Sequence, residues 1–216
     1  MPARRARPAL ALILVYYLCL AGVAARVIRL DYGPDEWQHL QYLHVLATEQ
    51  RLPTAGDTHL AVHPPLYYLA MALPWRLSGV TQAPVELPHG PVALAVTSSE
   101  GRTARLLVRH LTALLGGLVL GVIWVTLGSL GLTGVARTVL TFGAASWPMF
   151  QYLGGVANNE LLCVLHSALV AAVVARLVVH GGCGTRQAAL LGLLVGVGSW
   201  AKQTAAFSAP IAFWAV

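Results

Sequence analysis

Six stretches of this chain run toward membrane-spanning length with almost no charge, which leaves few soluble folds open to it. They lie at residues 8–28, 106–128, 136–152, 156–179, 187–200 and 203–216. A helix needs about 20 apolar residues to cross the hydrocarbon core of a bilayer. Pro148 interrupts the third run, the fifth is short, and the last stops with the chain at Val216. Only 10% of the residues are charged and 57% are hydrophobic, whereas soluble domains carry about 25% charge. The expected fold class is all-α: a polytopic transmembrane helix bundle forming a single membrane domain over 1–216. Because the chain stops inside an apolar segment, that domain is read as the N-terminal fragment of a longer protein.

The formal charge of +6 is then a matter of topology. No compact basic stripe with interleaved aromatics accompanies it, so nucleic acid is not an expected partner. Cys19, Cys163 and Cys183 are scattered and form no Cys-x-x-Cys pair. They read as small packing residues. Arg4, Arg5 and Arg7 precede the first apolar run. Its length favours a retained anchor over a cleaved signal.

Positive charge near span ends marks the cytoplasmic side. Arg4, Arg5 and Arg7 place the N-terminus inside, and the loop 29–63 outside. Arg176 and Arg186 flank a short loop assigned to the inside, and Arg137 falls inside as well. Asn158, Asn159, Glu160 and Lys202 then fall outside. This holds only if the segment 64–79, which opens with Pro64-Pro65 and contains Pro74 and Arg76, is interfacial or re-entrant. Arg102, Arg105 and Arg109 land outside against the rule, which suggests that they meet an external anion.

The external loop carries the sharpest chemistry. Asp35 and Glu36 follow Gly33-Pro34, and Trp37, Leu40, Leu43 and Leu46 recur at helical spacing behind them. This predicts an amphipathic juxtamembrane helix over 35–50 with two acids at its N-terminus. Such acids complement a helix dipole, and carboxylates beside a bilayer also mark functional sites. His39 stands four residues after Asp35 and three after Glu36, and His59 stands four before His63. These spacings suit a metal, but no third ligand is fixed by them, so no metal ligand is assigned. The box His63-Pro64-Pro65-Leu66-Tyr67-Tyr68 opens the segment 64–79. Its tyrosines read equally as interfacial anchors. Glu160 reads equally as a helix N-terminal acid, and Lys202 as a snorkelling cation.

In their order along the chain these motifs resemble the N-terminal half of the polytopic GT-C glycosyltransferases, in the family 39, protein-mannosyltransferase-like branch that includes aminoarabinose transferases. The likeness rests on Asp35-Glu36, the helix to Gln50, the box His63 to Tyr68, and Arg109 heading a span with small residues after it. It continues in Asn158-Asn159-Glu160, with Glu where Asp is more usual, and in the Gly-rich run ending Lys202-Gln203-Thr204. The Pro- and Gly-containing stretch from Val80 to Arg102 departs from it.

The resemblance implies transfer of a sugar from a polyprenyl-phosphate donor to an acceptor on the external face of the plasma membrane, and the Ala-, Gly-, Leu- and Arg-rich composition points to a bacterium. The acceptor, whether protein, lipid or glycan, stays open. Asp35 would be the general base, with Glu36 sharing or orienting that role. Arg109 and Lys202 would hold the leaving phosphate. His63, Tyr67, Asn159 and Glu160 would line the substrate site. No cofactor is assigned, and a divalent cation is compatible. Two other classes fit the same residues. One is a transporter or flippase-like protein for a lipid-linked anion; the other is a non-catalytic truncated chain.

Overall fold

The computed structural model describes residues 3–29, 33, 35–81, 84–87, 90–94 and 99–214. Asp31, Tyr32 and Pro34 of the acidic motif lie outside that set, as do the last two residues of the run 203–216.

The architecture is an all-α bundle. Helix α1 (Ala3–Val27) leads through the loop into α2 (Glu36–His44), extended by a π-helical turn at Val45–Glu49. A 3-10 turn at His59–Val62 precedes α3 (Leu66–Leu77). Then come α4 (Ser99–Ser129), α5 (Gly134–Ala145), α6 (Pro148–Gly154), α7 (Glu160–His180) and α8 (Thr185–Ala201). A 3-10 stretch, Gln203–Ser208, and α9 (Ala209–Trp214) follow. Among the described residues three helical segments are long and apolar enough to cross a membrane: Pro8–Val27, Glu100–Ser129 and Glu160–His180. Their large side chains are widely exposed, among them Leu12, Val23, Leu118, Val125 and Val178. So much apolar surface on helices of this length suits lipid rather than water.

Several boundaries differ from those expected of the sequence. The helix expected at 106–128 begins at Ser99, since charged residues within its first turns do not stop a helix. The run 136–152 is two helices, because Pro148 has no N–H to donate and sits at the first position of α6. The run 203–216 is not one continuous helix; within the described residues it is divided between 3-10 and α geometry. The stretch 80–102, which departs from the family resemblance, contains an antiparallel pair of strands, β1 (Pro84–Leu87) and β2 (Gly90–Leu94).

Five contacts fix the path. Arg109 of α4 reaches Ala25 near the end of α1, and Gly116 lies against Tyr17, so α1 and α4 are antiparallel. The segment between them therefore returns the chain to the end it left. At 12 residues, α3 is about 18 Å long, well short of a bilayer core. Arg137 donates to Trp124 O (2.8 Å) and Gly155 lies against Ala24, so α5 and α6 together run back along α4. Helices α7 and α8 form a further antiparallel pair, closed at the same end by Lys202 and Glu160. A side chain at Gly116 would overlap the Tyr17 hydroxyl, which is why α1 and α4 approach so closely there.

The amphipathic stretch packs as its pattern predicts. Leu40, Leu43 and Ala47 are buried with Tyr67, Tyr68, Met71 and Trp75 of α3 and with Ala104 and Val108 of α4. Each leucine contributes about 1.5–3 kcal/mol of burial. This second layer covers the end of the bundle where α1 leaves and α4 and α7 begin.

Candidate functional site

The adjacent acids are separated by the backbone. Successive helical residues point about 100° apart. Asp35 itself adopts the left-handed conformation, φ 55° and ψ 6°, which few non-glycine residues adopt. Asp35 is exposed, whereas Glu36 is 0% exposed. Gly33 permits the turn, since a Cβ there would come within 2.9 Å of the Glu36 carboxylate.

Glu36 faces Arg109, which is also 0% exposed. Arg109 Nε donates to Glu36 Oε1 (2.7 Å) and Nη2 to Oε2 (2.5 Å). Arg109 Nη1 donates to the carbonyls of Ala25 and Ile28, each at 2.7 Å. Glu36 Oε1 also accepts from the Ala157 amide (2.7 Å). One buried ion pair thus joins the end of α1, the start of α2, the body of α4 and the approach to α7. Arg109 satisfies carbonyls that α1 leaves open at its C-terminus. The geometry differs from two expectations: Glu36 points into the fold instead of standing beside Asp35, and Arg109 is buried against it instead of open to an anion. Four of its hydrogen bonds are made within the fold.

Tyr67 lies deeper than an interfacial anchor would. It is fully buried rather than interfacial. Thr112 Oγ1 donates to Val108 O (2.9 Å), so the Tyr67 hydroxyl donates to Thr112 Oγ1 (2.9 Å). Tyr67 is a wall of the site. Burial raises its hydroxyl well above the ordinary range and keeps it protonated.

The remaining candidates converge. His63 lies at the entrance to α3. Its Nδ1 is 3.4 Å from the Tyr68 hydroxyl and 3.4 Å from Asn159 Nδ2. The Tyr68 hydroxyl also meets His39 Nδ1 at 2.8 Å. Tyr68 stacks on Tyr42, with centroids 3.6 Å apart, and the Tyr42 hydroxyl donates to His63 O (3.3 Å). Asn159 Nδ2 also donates to Ala201 O (3.5 Å). Next along the chain, Lys202 pairs with Glu160 and Gln203 Nε2 reaches Val62 O (3.4 Å). The segment 62–63 and the segment 201–203 are therefore stitched face to face.

The two asparagines explain the start of α7. Asn158 Oδ1 accepts from the Glu160 amide (2.9 Å), and its Nδ2 donates to Leu153 O (2.8 Å) and Val156 O (2.9 Å). Asn159 is left to turn inward to His63. Glu160 keeps 41% of its side chain exposed and Lys202 keeps 18%, so this pair lies at the open edge.

The electrostatics follow from the geometry. Burial lowers the His39 pKa to about 3, with the His63 and Lys202 charges acting in the same direction. His63 is also lowered, first by burial and then by Lys202, against the opposing pull of Glu160 and Asp35. Asp35, Glu160 and Lys202 thus share one electrostatic environment with His63. Among the described residues no three His, Cys, Asp or Glu side chains converge as a metal site. His39 and Tyr68, visible in the sequence but given no role in the site there, join it in the fold. Their signal was the box His63 to Tyr68, whose second tyrosine lies on the face of α3 that turns to α2.

No family model, no curated protein and no solved structure matches this chain.

Proposed function

We propose that the chain is a multi-pass membrane glycosyltransferase that moves a sugar from a polyprenyl-phosphate donor to an acceptor at the external membrane face. The observation that carries the reading is one exposed carboxylate, Asp35, held in a left-handed turn beside a half-open cluster of His63, Asn159, Glu160 and Lys202. All of them lie at one end of a bundle of apolar helices. That end offers a base, a cation and hydrogen-bond donors where a lipid-borne phosphate would meet a polar acceptor.

In this reading Asp35 takes the proton of an acceptor hydroxyl as the hydroxyl attacks the anomeric carbon. The bond from that carbon to the phosphate oxygen breaks, and the configuration inverts. A carboxylate is a weak base, so fixed placement supplies much of the rate. Lys202 stabilises the charge growing on the departing phosphate, and Glu160 holds its ammonium in place. Glu36 and Arg109 act at one remove, by fixing the turn that carries Asp35.

The test is to reconstitute the chain in vesicles with a labelled polyprenyl-phosphate sugar. Label on an acceptor, with release of the polyprenyl phosphate, supports the proposal. Movement of the intact donor across the bilayer without cleavage supports the transporter class instead and overturns it.

A further inference from the structure

Asn159 is 1% exposed, yet its amide is spent on a neighbour rather than on the cap of its own helix. One face of that amide looks at a backbone carbonyl, Ala201 O, which can only accept. The atom there is therefore the nitrogen, and the same nitrogen meets His63 Nδ1. It follows that His63 Nδ1 presents a lone pair. This holds whichever way the Tyr68 proton turns, since that hydroxyl can serve His39 Nδ1 or His63 Nδ1. A neutral imidazole that accepts at Nδ1 carries its proton on Nε2. Among the described residues the His63 ring makes its hydrogen-bond contacts through Nδ1 and none through Nε2, and the residue is only partly buried. The segment that bears Lys202 lies against it through Gln203 and Val62.

We infer that Asn159 is a positioning residue that locks His63 in the Nε2–H tautomer, so that a neutral N–H and the Lys202 ammonium together receive an anionic phosphate oxygen. The role of the phosphate rests on the transfer reading above; the tautomer does not. Burial and the Lys202 charge favour the neutral ring, while Glu160 and Asp35 oppose them. A neutral donor suits a phosphate that must later leave, because it binds without adding a second full charge.

The experiment reads the ring nitrogens of the 15N-labelled chain in detergent at about pH 8, where histidines of ordinary pKa are neutral. Among the eight histidines, His63 is assigned by the signals lost in His63→Gln. The expected result is a proton on Nε2 and none on Nδ1. In Asn159→Asp the carboxylate accepts only, so the proton moves to Nδ1 and the two signals exchange character. Asn159→Ala, which adds no charge, gives a mixed population. A native Nδ1–H ring, or an Asn159→Asp ring unchanged from the native one, overturns the inference.

A second arm uses transfer activity. Asn159→Asp lowers kcat/KM by about tenfold or more, the loss of one hydrogen bond to a charged group. In a His63→Gln background, where an amide supplies the N–H without Asn159, the same change costs much less. Equal losses in both backgrounds indicate a merely structural asparagine and overturn the inference. No transfer by the native chain, with the tautomer pattern intact, overturns the transfer reading and supports the positioning of His63 by Asn159.

Discussion

Replacing Arg109 with Met tests the ion pair at the centre of the fold. The change removes four hydrogen bonds: two to Glu36 and one each to Ala25 O and Ile28 O. Among the described residues Glu36 would keep only the Ala157 amide, at 0% exposure. Leaving one member of a buried pair without its partner costs about 3–5 kcal/mol. For a chain of this size each kcal/mol shifts Tm by about 2–4 °C, so the expected fall is about 6–20 °C. Adding Glu36→Gln to the variant removes the stranded charge while keeping an oxygen for the Ala157 amide. The double variant should therefore be less destabilised than the sum of the singles, by about 0.5–3 kcal/mol. The assay is thermal unfolding of the detergent-solubilised protein, followed by size-exclusion recovery. Additive losses, or an Arg109→Met protein that melts like the native one but no longer binds donor, would refute the structural role.

Other consequences can be checked separately. Gly116→Val forces a side chain into the Tyr17 hydroxyl and should cost about 1–3 kcal/mol by overpacking, read as a lower Tm. Lys202→Met should raise the KM for the donor with little change in Tm, because partly exposed ion pairs contribute at most about 1 kcal/mol; a large Tm loss would make it a structural residue. The fold holds His39 neutral down to about pH 3, whereas an unfolded histidine protonates near 6.5. The unfolded state thus binds more protons between these values, and stability falls as pH drops from about 6.5 toward 3. At about pH 5 the loss attributable to His39 is about 2 kcal/mol, and His39→Gln should flatten that part of the profile.

The spans and the site differ in how far sequence alone could reveal them. Residues 8–28, 106–128 and 156–179 announced themselves because few soluble folds bury so long a run with only one or two charges, and α2 did so through the spacing of Leu40 and Leu43. The break at Ser146–Trp147 was signalled by Pro148, whereas nothing in the composition of 84–94 marked a paired hairpin. Asp35 and Glu36 look equivalent in the sequence. They part because Arg109, 73 residues further on, pulls one of them inward, and periodicity carries no trace of so distant a partner. For the same reason nothing in the sequence marks the buried partners of Arg109. The box His63 to Tyr68 did point to a site, but the link from His63 to Asn159 crosses 96 residues and emerges only when α7 packs against α4 and brings its N-terminus to the entrance of α3.

The division of labour between the two acids is the central claim, and sugar transfer by Asp35→Asn tests it most directly. Asp35 is exposed and its side chain caps nothing in α2, so the variant should fold and melt like the native protein. Transfer from a labelled polyprenyl-phosphate sugar should fall by about 10²–10⁴, the usual contribution of a positioned base. Native-level transfer by folded Asp35→Asn protein would contradict the account.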